Sequence, residues 1–114
     1  MVWYILNMKT LKFAADLVPL VLEGEKDVTW RLWDDKDLST GDKLSLVKRP
    51  ELEEFAKAKI TNAYEKKMGE IAEEDFEGHE RYESNGDMYK AYSTYYGREV
   101  GPDTVVGIVR FKLL

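Results

Sequence analysis

The segment from Gly24 to Arg31 carries side chains whose types and spacing suit the binding of an anionic or carbonyl-bearing ligand. Gly24 follows the apolar residues of a predicted helix, and glycine takes the left-handed backbone conformation that ends a helix without steric cost. The strand predicted after this turn places Thr29 and Arg31 on the same face. Lys26 lies in the turn, within reach of that face. We therefore predict that a ligand binds at Gly24, Lys26, Thr29 and Arg31.

Each charged or hydroxyl side chain of this segment has both a chemical and a structural interpretation. Thr29 is a nucleophile if a neighbouring base removes its proton, and Lys26 is that base if burial or the charge of Arg31 lowers its pKa. Arg31 offers a planar fork of donors to a phosphate, a carboxylate or a pyrimidine carbonyl. The structural alternatives are a threonine that only favours strand formation, a solvated lysine, and an arginine that pairs with Asp34 or Asp35.

The pattern G-x-K-x-x-T-x-R between a helix and a strand resembles the signature of the ASCH domain, a small β-barrel related to the PUA domains of RNA-modifying proteins. The likeness continues through the Gly41-Asp42 turn between two strands, through Glu77-Gly78 ahead of a late helix, and through a last strand at 105–113. The resemblance implies one α+β domain over residues 1–114. Its expected fold is a PUA-like small β-barrel of about five to seven strands with two or three short helices.

The same resemblance implies an RNA- or nucleotide-binding module whose pocket lies at the motif. Some ASCH proteins are amidohydrolases that remove the acetyl group from N4-acetylcytidine with a lysine, a threonine and a glutamate. Carried over by motif, the catalytic residues are Lys26, Thr29 and Glu77. The segment after Glu77 is longer than in the compact enzymes, so Glu74 and Glu80 remain alternatives to Glu77 as the catalytic glutamate.

The composition favours a small ligand over a long polyanion. The formal net charge is -5, and non-specific affinity for nucleic acid comes mainly from cationic side chains that displace counterions from phosphates. The basic residues concentrate on the predicted strands, where they either keep solvent faces soluble or line an RNA groove. There is no cysteine and one histidine, His79, so we predict neither a thiolate nor a histidine-rich metal site, and no cofactor.

We predict a soluble, cytoplasmic protein that is monomeric by default. No apolar run approaches the roughly 20 residues that a membrane helix needs. Residues 1–7 lack the charged start and the cleavage region of a signal peptide. The absence of cysteine and glutamine, together with 34% charged residues, is typical of thermophile proteins. A melting temperature in the ordinary mesophile range would remove this last hypothesis.

The hydrophobic pattern predicts strands whose connections contain a few helices, an α+β arrangement. The predicted strands cover residues 3–6, 9–13, 28–33, 43–48, 56–64 and 104–114. Residues 50–55 are predicted to form a helical turn or loop, and residues 71–76 a short helix. One face of the strand at 56–64 carries Ala56, Ala58, Ile60, Asn62 and Tyr64. One face of the last strand carries Val105, Val109, Phe111 and Leu113.

Helix signals and aromatic residues complete the pattern. A helix capped by Asp16 carries Pro19 in its first turn, where the missing backbone donor is not needed. A longer helix runs from a Ser84 cap to Tyr96, and Gly97 ends it. The aromatic residues that could stack on a base are Trp30, Trp33, Tyr82, Tyr89, Tyr92, Tyr95 and Tyr96. The helical spacing of Tyr92 and Tyr95 is more typical of residues in the core, so we predict a core position for both.

Overall fold

The computed structural model describes residues 8–34 and 36–114. Its strands are β1 (Lys9–Phe13), β2 (Val28–Arg31), β3 (Lys43–Lys48), β4 (Glu53–Lys67) and β5 (Val105–Leu113), and its helices are α1 (Val18–Leu22) and α2 (Asn85–Tyr96). Short 3-10 turns cover Ala15–Leu17, Met68–Glu70 and Glu73–Phe76. The strand predicted at residues 3–6 lies outside the described residues. The described elements agree with the predicted α+β class.

The five strands form one mixed, curled sheet in the order β1-β3-β4-β5-β2. β1 runs parallel to β3, and every other neighbouring pair is antiparallel. The two edges, β1 and β2, share no ladder in the part of the chain that the structure describes, so the predicted barrel is open rather than closed. A side chain spans this opening, because Arg31 on β2 donates from Nη2 to the carbonyl oxygen of Lys12 on β1 at 3.1 Å.

The core has two parts because the central strand β5 is buried on both of its faces. Val109 and Phe111 pack with the apolar residues of β1, β3 and α1. Val106 and Ile108 point the other way and pack with β2 and α2. Since alternate residues of a strand point to opposite faces, this two-sided burial follows from the run of apolar residues in β5. Val105 is 48% exposed, so the predicted apolar face begins only at Val109.

A β-bulge in β4 corrects the predicted alternation. The pairing of β4 with β5 shifts register between Ile60 and Asn62, and Ala63 then packs with the same part of the core as Ile60. Tyr64 packs in the other part, and Asn62 is exposed. A bulge inserts one residue into the ladder and thereby exchanges the two faces beyond it. The strand is also longer than predicted, because pairing with β3 draws Glu53 and its successors into the ladder.

The structure corrects the predicted cap of the first helix. Asp16 lies inside the 3-10 turn Ala15–Leu17, and no side chain caps this turn or α1. Helical geometry already includes Asp16, which therefore lacks the extended backbone that a capping residue needs. Pro19 does lie in the first turn of α1, as predicted.

The signals at both ends of α2 are confirmed. The Ser84 hydroxyl accepts a hydrogen bond from the Asp87 backbone N–H at 3.1 Å, and Gly97 ends the helix with a φ of 68°. Met88 on this helix is buried, whereas Tyr95 is 60% exposed. The core position predicted for Tyr95 is therefore wrong, and Tyr96 packs there instead.

Candidate functional site

A cavity of about 380 Å³ opens between the two edge strands, α2 and the loop before α2. Its volume falls within the range of about 300–1,000 Å³ that small-molecule sites occupy. We call it the motif cavity, because Lys26, Thr29 and Arg31 all line it. Gly24 does not line the cavity. Its left-handed backbone, with a φ of 83°, lies in the turn between α1 and β2. The polar residues of the wall include Lys26, Thr29, Arg31, Arg49, His79 and Glu80.

Lys26 is a buried lysine with an acidic partner. Only 5% of it is exposed, and its Nζ lies 2.8 Å from Glu80 Oε2 and 2.9 Å from the carbonyl oxygen of Val28. Burial lowers the pKa of Lys26 below its usual value, although the Glu80 carboxylate opposes the shift. The Lys26–Glu80 pair thus presents a donor and an acceptor side by side, with an ammonium that gives up its proton more readily than an ordinary lysine.

The acid that reaches Lys26 is Glu80, not Glu77. The side chain of Glu77 is exposed and does not line the motif cavity, while its backbone carbonyl accepts a hydrogen bond from Arg110 Nη1 at 3.0 Å. Glu74 is also exposed, and its carbonyl accepts from Nη2 of the same arginine at 2.6 Å. Of the three acids left open by the sequence, Glu80 is therefore the one that contacts Lys26 and lines the motif cavity, whereas Glu77 and Glu74 do neither.

Gly78 explains how the loop brings Glu80 to Lys26. Its φ is 79°, and a Cβ atom at this position would overlap the carboxylate oxygen of Asp27. The Asp27 backbone N–H also donates to the Gly78 carbonyl oxygen at 3.3 Å. Glycine is required here for both its backbone conformation and its lack of a side chain. The Glu-Gly pair of the sequence motif thus positions the loop, and Glu80 supplies the carboxylate.

Thr29 lies on β2 between Lys26 and Arg31 along the wall of the cavity. The residue is 7% exposed, and its hydroxyl has no hydrogen-bond partner within the residues that the structure describes. Thr29 and Arg31 share one face of the strand, as predicted, while Val28 and Trp30 pack into the core. The hydroxyl is therefore free to interact with a ligand in the cavity.

His79 also lines the motif cavity, although the sequence indicated only its bearing on metal binding. Its ring stacks on Trp30 with centroids 3.9 Å apart, and its Nδ1 lies 2.8 Å from the carbonyl oxygen of Glu80. A carbonyl only accepts, so Nδ1 carries the proton and Nε2 accepts from the Tyr92 hydroxyl at 3.3 Å. Burial, with the nearby charge of Lys26, lowers the pKa of His79 to about 4. In the sequence, the only indication that His79 belongs to this cavity is its position between Gly78 and Glu80.

The low pKa of His79 predicts an acid-sensitive stability. His79 binds a proton near pH 6.5 in the unfolded chain and only near pH 4 in the folded protein. Its contribution to the free energy of unfolding is therefore complete above pH 6.5 and is lost as the pH falls toward 4. Urea unfolding at a series of pH values between 6.5 and 5 measures this loss, in a range above the ordinary pKa of Glu80. The His79→Gln variant should lose much less stability over the same range. An equal loss in both proteins would contradict the prediction.

Aromatic rings form one wall of the motif cavity. Tyr82, Tyr92, Tyr95 and Tyr96 line it, whereas Trp33 and Tyr89 do not. Trp30 is 3% exposed and packs against Phe76 as well as His79, so it supports the wall rather than offering a free face. Burial raises the pKa of Tyr92 well above its usual range, and its phenol stays protonated.

The described residues contain no group of three or more His, Cys, Asp or Glu side chains that could hold a metal ion. None of the helices in the described part of the chain has the length and the apolar character needed to span a bilayer.

The fold defines the class of the domain: the chain has the fold of ASCH domains. Its structure matches an ASCH domain from Lactobacillus crispatus with a TM-score of 0.70 and 17% identity, over 94% of this chain and 79% of that chain. A protein from Enterococcus faecalis matches with a TM-score of 0.71 and 18% identity, over 94% and 80%. A mutant ASCH protein from Zymomonas mobilis matches with a TM-score of 0.66 and 11% identity, over 93% and 69%. Neither a family model nor a curated protein matches the sequence.

Proposed function

We propose that this protein binds a pyrimidine nucleoside or nucleotide, free or within RNA, in the motif cavity. The observation that carries the proposal is the Lys26–Glu80 pair, which lies in one cavity with Thr29 and a wall of tyrosines. A cytosine edge carries an exocyclic amine beside ring acceptors. Glu80 accepts from the amine and Lys26 donates to an acceptor, so the pair is complementary to that edge.

The surroundings of the pair support a base as the ligand. Tyr82 and Tyr92 offer ring surface, and stacking on an aromatic side chain contributes about 1–3 kcal/mol per base. The net charge of -5 disfavours long stretches of non-specific contact with phosphates. A cavity that accepts one nucleotide is compatible with this charge, whether the nucleotide is free or belongs to an exposed RNA loop.

Calorimetric titration with cytidine tests the proposal, with Glu80→Gln compared against Glu77→Gln. Both variants remove one negative charge, but only Glu80 lines the cavity. A hydrogen bond to a charged group contributes about 1.5–3 kcal/mol, so Glu80→Gln should weaken cytidine binding roughly 10- to 100-fold. Glu77→Gln should leave the affinity unchanged.

Two results would contradict the proposal. One is the absence of binding to cytidine, cytidine nucleotides and single-stranded RNA at low salt, where electrostatic attraction is strongest. The other is an equal loss of affinity in the Glu77→Gln and Glu80→Gln variants, which would show that the overall charge matters and the cavity does not.

A second candidate function is hydrolysis of an acylated cytosine, and the lowered pKa of Lys26 beside Thr29 favours it. In this reaction Lys26 in its neutral form accepts the Thr29 proton, and the hydroxyl oxygen attacks the acetyl carbonyl carbon. The bond from that carbon to the N4 nitrogen breaks, and the leaving amine takes up a proton by way of Glu80. Water then hydrolyses the acetyl ester of Thr29 to acetate. Acetate release from N4-acetylcytidine tests this candidate.

A further inference from the structure

Two arginines line the motif cavity beyond Thr29. Arg31 is at the end of β2, and Arg49 directly follows β3. The guanidinium of Arg31 lies 5.8 Å from the ring centre of Phe13, and that of Arg49 lies 5.3 Å from the ring centre of Tyr95. Aromatic neighbours thus contact both cations at the cavity.

This pair of cations lacks an acidic partner within the described residues. No ion pair joins Arg31 or Arg49 to a carboxylate there, although Asp34 lies near enough for its charge to act on Arg31. The Nε atoms of both arginines are shielded from solvent and have no hydrogen-bond partner. Burial lowers the pKa of Arg31, while Tyr96, Asp34 and Tyr95 oppose the shift and the like charge of Arg49 adds a smaller lowering. Partly buried like charges without a counter-ion repel one another, and an anion between them relieves that repulsion.

The remaining charges of the cavity do not neutralise this end. Glu80 pairs with Lys26, and Asp16, the other acidic residue of the wall, is exposed. Along β2, Thr29 precedes Arg31 by two residues, a separation of about 6.6 Å at the usual strand rise. The cavity wall thus carries a neutral, hydrogen-bonding pair at Lys26 and Glu80 and two cations at Arg31 and Arg49, with Thr29 between Lys26 and Arg31 in the sequence.

We infer that Arg31 and Arg49 form an anion subsite that binds a phosphate group of the ligand, so that the cavity takes a phosphorylated nucleotide in preference to a nucleoside. This inference rests on the proposed function, since it assumes that the base lies at Lys26 and Glu80. Two guanidinium forks suit a phosphate because they donate to several of its oxygens at once. The phosphate belongs to a free nucleotide as a monoester or to RNA as a diester.

The test compares cytidine with cytidine 5′-monophosphate by calorimetric titration at low salt. The parent protein should bind the monophosphate at least about tenfold more tightly, since one charge-assisted contact is worth roughly that factor. Arg49→Gln should remove this preference, so that cytidine and its monophosphate bind the variant with similar affinity. Arg98→Gln is the matched control, because Arg98 is exposed, lies outside the cavity and carries the same charge. It should keep the preference.

A second measurement separates the subsite from the base site. Inorganic pyrophosphate should raise the melting temperature of the parent and of Arg98→Gln, but not of Arg49→Gln. If no cytidine compound binds while pyrophosphate still stabilises through Arg49, the proposed base site fails and the anion subsite stands. Equal binding of cytidine and its monophosphate, or a preference that survives in Arg49→Gln, would overturn the subsite. A short single-stranded oligocytidylate that binds more tightly than the monophosphate would identify the phosphate as that of RNA.

Discussion

Lys26→Ala is expected to lower the rate of acetate release from N4-acetylcytidine at least about 100-fold, the lower range for loss of a positioned general base. The reason is that the variant removes the only amine of the Lys26–Glu80 pair and leaves Thr29 without the base that accepts its proton. Lys59→Ala is the matched control, because Lys59 is exposed on β4 and lies outside the motif cavity. It should retain the parental rate.

Two variants test the hydroxyl of Thr29 in the same assay, one that removes the hydroxyl and one that keeps it. Thr29→Val removes the nucleophile and should lose as much activity as Lys26→Ala, whereas Thr29→Ser keeps a hydroxyl and should retain part of it. In the hydrolytic candidate the neutral form of Lys26 is the base, and the pKa of Lys26 is lowered by burial. The rate at low substrate concentration should therefore rise with pH through an apparent pKa below that of an ordinary lysine.

Two outcomes in this assay would remove the hydrolytic candidate. One is the absence of acetate release by the parent protein, and the other is a parental rate in a Lys26→Ala variant with an unchanged circular dichroism spectrum. The binding proposal is independent of both results, since cytidine binding is measured without turnover. A protein that binds cytidine and releases no acetate would be a binding module.

The second large effect is expected from Gly78→Ala, which should lower the free energy of unfolding by roughly 2–4 kcal/mol. The left-handed backbone accounts for about 1–2 kcal/mol of this loss, and the overlap of the new Cβ with the Asp27 side chain accounts for the remainder. Gly41→Ala is the matched control: its φ is 94°, and a Cβ there meets nothing within 4 Å. It should lose only the backbone part in urea unfolding.

A double-mutant cycle with Asp27→Ala isolates the contact at Gly78. In the Asp27→Ala background the carboxylate that the new Cβ meets is absent, so Gly78→Ala should lose about as little as Gly41→Ala. The fluorescence of Trp30, which stacks on His79 in the same loop, should change in Gly78→Ala and not in Gly41→Ala. Equal losses of stability in the two glycine variants would show that the approach of the loop to Asp27 is not what requires glycine.

The sequence predicted several local features of the fold correctly because their causes are local. The left-handed turn at Gly24 and the shared face of Thr29 and Arg31 follow from the sterics of a few consecutive residues. The Ser84 cap of α2 likewise depends on a hydrogen bond that spans three residues. By contrast, the alternation predicted for β4 failed at Asn62, since a bulge arises from pairing with a distant strand.

By itself, then, the sequence determined the α+β class, the motif and the strand face that Thr29 and Arg31 share. Only the tertiary structure decided which acid joins Lys26, because Glu80 and Lys26 are 54 residues apart in sequence and meet through the approach of Gly78 to Asp27. It also placed His79 and Arg49 in the wall of the motif cavity, which no local pattern marks. Burial and neighbouring charges set the chemistry of such groups, and both are properties of the folded chain.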